Sequence, residues 1–86
     1  MSQQAATNPR ELPPVTFASF VVSLATSAMQ HLGEGPDAEK DLALAKHTID
    51  LLGVLHEKTK GNLDEEEARL IEAVLYETRM KYLEHG

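Results

Sequence analysis

From Val15 to Leu32 the chain carries no Lys, Arg, Asp or Glu. A helix without charge over that length is hidden on most of its circumference by protein or by lipid. Thr16 is a suitable N-cap, Gly33 can take the left-handed conformation that ends a helix, and Gly35-Pro36 prevents resumption for several residues. The spacing therefore predicts a first helix over about 16–32. Phe17, Phe20, Val21, Leu24, Ala28 and Leu32 recur at intervals of three and four and form one apolar stripe, read as core. Ser19, Ser23 and Ser27 line up at i, i+4 and i+8 on another side. That side is small rather than solvated, and a neighbouring helix could approach it closely. Such a helix spans roughly 25 Å, the lower limit for crossing a bilayer. The serines and threonines, Gln30 and His31 dilute it, and no Lys/Arg cluster flanks it to set an orientation. We read it as buried in protein and do not expect the membrane as a partner.

What would bury it is in short supply. A chain of 86 residues has room for one domain and hides a smaller share of its surface than a larger one. There is no cysteine to staple the fold and no Trp, and aromatic residues make up only 5% of the chain. Association with a second copy is the remaining reinforcement.

Ahead of the first helix, Met1 to Val15 is rich in Gln, Ala and Pro, with Pro9, Pro13 and Pro14 blocking helix. Residues 1–15 are expected to be a disordered arm and 16–86 a single helical domain. Pro13-Pro14 would favour an extended conformation if the arm docked on a partner. The N-terminus has neither a basic start nor an apolar run before a small-residue cleavage site, so a cytoplasmic location is the default expectation. The formal charge is -6, from 14 acidic and 8 basic residues, so there is no general positive field to attract a phosphate backbone. Nucleic acid is not an expected partner.

A second helix is predicted over about 38–60, capped by Asp37 or Asp41 and stopped by Gly61. Leu42, Leu44, Ala45, Ile49, Leu51 and Leu52, with Thr48 and Leu55, cover about half of its wheel, wide enough to touch two neighbours. Lys58 and Lys60 meet the negative end of its dipole. The run Lys60-Gly61-Asn62-Leu63-Asp64-Glu65-Glu66-Glu67 reads as stop, turn and start, with Asp64 as N-cap and Glu67 in capping-box position. Its carboxylates fan around a helix axis and lack the alternating spacing of a calcium loop. The third helix, about 65–84, carries two apolar stripes. Leu70, Ile71, Val74, Leu75, Thr78 and Tyr82 would pack on the other helices, while Ala73, Tyr76, Met80 and Leu83 form a short seam on another side. Glu77, Arg79 and Lys81 are read as a solvated or ion-paired face. The fold class expected is all-α, three antiparallel helices joined by short connections, assembled as a helical oligomer.

The run from Thr16 to Ala28 (TFASFVVSLATSA), His31-Leu32-Gly33, Thr48-Ile49-Asp50-Leu51-Leu52, Glu57 to Leu63 (EKTKGNL), Leu75-Tyr76-Glu77 and Arg79-Met80 together resemble a family of small bacterial proteins classed as a domain of unknown function. The resemblance covers about Thr16 to Glu84. It implies a bacterial source and helical content, and it brings no activity, substrate or catalytic residue with it.

The residues themselves offer little chemistry. There is no glycine-rich phosphate loop and no His-Glu-x-x-His. The serines of the first helix lie on a regular helix rather than on the strained turn that exposes a nucleophile, so no catalytic residue and no cofactor are assigned. Of the histidines, His47 and His56 are nine positions apart and fall on nearly opposite faces, and His85 lies at the far end of the chain. His31 is the most interesting, because it stands in the last turn of an uncharged helix where the dipole favours its protonated form. Two readings follow. The leading one is a non-enzymatic, homo-oligomeric interaction protein, a dimer or larger, whose candidate interface is Ser19, Ser23, Ser27, Ala73, Tyr76, Met80 and Leu83, with an unidentified second protein as a further partner. The alternative is a small metal-binding or catalytic protein using His31 with His47 or His56.

Overall fold

A computed structural model describes Leu12 and residues 14–85. It contains three helices, α1 (Phe17–His31), α2 (Leu42–Lys58) and α3 (Glu65–His85), and each packs against the other two in an up-down-up bundle. The expected N-terminal arm falls mostly outside the described residues. Of its last positions, Leu12, Pro14 and Val15 are non-helical and exposed.

Local chemistry sets the helix limits. The Ser19 backbone N–H donates to Thr16 Oγ1 at 3.0 Å while the Thr16 N–H donates to Ser19 Oγ at 3.0 Å, a reciprocal cap that starts α1. At its other end Gly33, with φ of 89°, donates to the Gln30 carbonyl, and the Glu34 N–H reaches back to that of Met29. This pairing satisfies two carbonyls that the helix leaves open and is the reason for a glycine there. α3 begins as its sequence indicates. The Glu67 N–H donates to Asp64 Oδ1 at 2.8 Å and the Asp64 N–H to Glu67 Oε1 at 3.0 Å.

α2 starts later than the run from 38 allows. Of the two aspartates read as caps, Asp41 is the one used, its carboxylate accepting the Leu44 N–H at 3.1 Å. The Asp41 N–H is itself bound to the His31 carbonyl at 2.7 Å, so the backbone at 41 ties the end of α1 to the start of α2. Residues 32–41 thus form a loop with its ends joined rather than a first turn of helix.

The core is drawn from all three helices: Val21 and Ala28 of α1, Ile49 and Leu52 of α2, Ile71 and Leu75 of α3. Leu32 and Ala45 are also buried. Thr48 and Thr78 are buried without cost because each hydroxyl donates to the carbonyl four residues back, at 2.9 and 2.8 Å. Gly53 lies within the unbroken α2 and is half-buried. A Cβ placed there would stand 3.2 Å from Arg79 Nη2, so the glycine leaves room for the guanidinium of α3 to lie across α2. That atom is the tip of a flexible side chain. Gly53→Ala is therefore expected to stabilise the fold by about 0.5–1 kcal/mol through helix propensity. In a thermal melt this is a rise of about 2–8 °C, and a fall would mean that Arg79 cannot move aside.

Candidate interaction surface

Among the described residues, two stretches of apolar surface stand out as uncovered once the three helices have packed. The first is the outer side of α3. Tyr76 is 68% exposed, Leu83 71% and Met80 43%, and Ala73 beside them is exposed as well. On the wheel these positions lie opposite Ile71, Leu75 and Thr78, which the bundle buries, so no rotation of α3 could hide both sets.

The second surface is a groove between α1 and α2, a cleft of about 270 Å³ lined by Phe20, Leu24, Leu51, Val54, Leu55 and Lys58. It corrects part of the sequence reading. Phe20, Leu44 and Leu51 belong to the stripes read as core, yet all three are exposed. A helix in a three-membered bundle has neighbours on one side only, and a face covering half of its circumference leaves its flank outside. Position 51 lies on that flank of α2 while position 52 points inward.

The serine stripe divides. Ser19 is engaged in the cap of α1, where its hydroxyl also donates to the Thr16 carbonyl at 3.0 Å. Ser23 is exposed and Ser27 half-buried on the outer side of the same helix.

The histidines do not converge on a site. His31 is half-buried and contributes its backbone carbonyl to the loop, and His47 is exposed. His56 Nε2 lies 3.7 Å from Glu72 Oε2 across α2 and α3. Among the described residues, no group of three or more His, Cys, Asp or Glu could hold a metal ion, which leaves the pairing of His31 with His47 or His56 without geometric support. No helix of the described residues is long and apolar enough to cross a membrane.

A contact that sequence reasoning missed joins His85 Nε2 to Glu34 Oε2 at 2.7 Å, fastening the end of α3 to the loop after α1. The partners are 51 positions apart, and no local pattern signals the pairing. His85 and, more distantly, Lys81 hold the Glu34 carboxyl below the usual carboxylate range. The folded state consequently binds fewer protons at this site than the unfolded chain. The stabilisation is complete above the ordinary carboxylate value and disappears as pH falls through the lowered one. Between about pH 5 and pH 3, the wild type should lose more thermal stability than Glu34→Gln. Equal losses in the two melts would show that the contact does not hold in solution.

The lysine and arginine pairs are local by comparison. Lys46–Asp50 at 2.9 Å and Arg69–Glu65 at 2.8 Å join neighbouring turns of one helix and are widely exposed, so each adds little to stability.

The arrangement leaves apolar surface uncovered on the outer side of α3 and between α1 and α2. The family model of DUF1844, a domain of unknown function, matches residues 14–84 and so takes in all of α1 and α2, nearly all of α3 and both uncovered surfaces. Neither a curated protein nor a solved structure matches the chain. The family that the runs from Thr16 to Glu84 resemble is thereby established, and the chain belongs to DUF1844, a domain of unknown function.

Proposed function

We propose that this chain is a non-enzymatic self-association module whose outer apolar surfaces are covered by further copies of itself. The observation that carries the reading is the outer side of α3. Tyr76, Met80 and Leu83 are all exposed, at the three-and-four spacing by which one helix packs on another. Single exposed apolar residues are ordinary, but a run of them along one helix opposite the core is an unpaired packing face. The economy of the fold argues the same way. Among the described residues its core rests on eight buried apolar side chains, none of them aromatic. A bundle of this size gains from burying more.

Light scattering across a dilution series tests the proposal. The chain is expected to exceed the mass of one copy at micromolar concentration and to approach it on dilution. Tyr76→Glu combined with Met80→Glu should yield a monomer with its helicity largely retained, because both side chains lie outside the core. A wild type that is monomeric throughout the series would overturn the reading.

A further inference from the structure

The two uncovered surfaces differ in shape, and the difference bears on how copies meet. We infer that they are the two halves of one contact: the α3 ridge of Tyr76, Met80 and Leu83 on one copy seats in the α1/α2 groove of the next. This rests on the self-association proposed above and specifies its geometry.

Length and period agree. The exposed strip of α2 that lines the groove runs Leu51, Val54, Lys58 at spacings of three and four. The ridge runs Ala73, Tyr76, Met80, Leu83 at the same spacings. At about 1.5 Å per residue, Leu51 to Lys58 and Tyr76 to Leu83 each span about 10 Å, so the exposed part of the ridge matches the lined stretch of the groove in length. Side chains at this repeat interlock as knobs in holes. A convex ridge fills a concave cleft, whereas two grooves facing each other would leave it empty.

Charge favours the same pairing. The ridge is bordered by Glu72, Glu77 and Glu84 against Arg79, and although Lys81 stands 3.8 Å from Glu84 and His56 3.7 Å from Glu72, two ridges laid together would oppose margins of net negative charge. In the groove, the α1 wall has no charged residue from Phe17 to Gln30 and Lys58 is the one charged lining residue. Asp50 and Glu57, on the far margin of the α2 strip, are engaged by Lys46 at 2.9 Å and Lys60 at 3.5 Å.

The consequence is a head-to-tail assembly. The groove is lined by α1 and α2 without α3, and the ridge lies on the side of α3 away from its buried Ile71, Leu75 and Thr78. One pair of copies can then form only one such contact, leaving a ridge and a groove unused. Assemblies grow with concentration or close into a ring.

Two variants separate the possibilities. A ridge variant carries Tyr76→Glu and Met80→Glu, and a groove variant carries Leu51→Glu and Val54→Glu. Each should be monomeric alone by light scattering. Mixed in equal amounts, they should form a complex of two chains that grows no further, since the groove variant supplies the ridge and the ridge variant the groove. If the groove variant still associates like the wild type, or the ridge variant does, like surfaces pair and the inference falls while self-association stands. A mixture that stays monomeric also overturns the inference. A monomeric wild type overturns both. Circular dichroism checks that each variant is folded. Should either unfold, the wild-type background with Tyr76→p-benzoylphenylalanine replaces it. Light-induced crosslinks to α1 or α2 of another copy would support the contact, and crosslinks confined to α3 would overturn it.

Discussion

Leu52→Ala is expected to cost about 2–5 kcal/mol, the range for truncating a fully buried leucine. Leu52 has no exposed surface and sits among Val21, Ala28, Ile49, Ile71 and Leu75, where all three helices contribute. The loss has two sources, the transfer free energy of the missing carbons and the cavity that the remaining side chains only partly fill. Small domains have total stabilities near the low end of about 5–15 kcal/mol, so one such change removes a large share. Thermal denaturation should shift downward by about 10 °C or more. Leu51→Ala is the internal control. That side chain is 44% exposed, and its truncation should cost under about 1 kcal/mol when measured at dilution, where the groove is uncovered. Equal costs at 51 and 52 would contradict the packing described.

The second large effect is expected from the backbone at Gly33. Its φ of 89° lies in the left-handed region, which a β-branched residue enters only with strain. Gly33→Val should destabilise by about 1–3 kcal/mol, measured by chemical denaturation. Space is not the obstacle, because a Cβ there meets the Lys40 Cβ at 3.5 Å, an ordinary contact. The cost is conformational. If valine forces φ negative, the bonds from Gly33 to Gln30 and from Glu34 to Met29 are lost together, and Glu34 is carried away from His85. Gly33→Asn separates these causes. Asparagine tolerates the left-handed conformation, so it should lose much less than valine. Similar losses would point to the side-chain volume instead. Gly53→Ala, within a helix where glycine has no conformational task, is expected to act in the opposite direction.

What the amino-acid sequence determined by itself is the set of features made by hydrogen bonds between near neighbours. Thr16 with Ser19 and Asp64 with Glu67 start α1 and α3 through bonds three residues apart, and Gly33 closes α1 through bonds to the turn before it. Such bonds depend on residue type and spacing alone, so three helices and their turns are legible without knowledge of what packs on what. Periodicity likewise separates the ridge of Ala73, Tyr76, Met80 and Leu83 from the core stripe of α3, because the two lie on opposite sides of one helix.

Tertiary structure decided where the wide faces end. Leu51 and Leu52 are adjacent and identical, and both belong to the apolar half of α2, but only the position of α1 and α3 makes one core and the other groove. It also chose Asp41 over Asp37 as cap, through a backbone bond to His31, and it brought Glu34 to His85. The physical reason is common to all three. Burial and long-range hydrogen bonds depend on the directions of helices relative to one another, and the pattern along a single helix fixes its own faces without fixing how much of each a neighbour will cover.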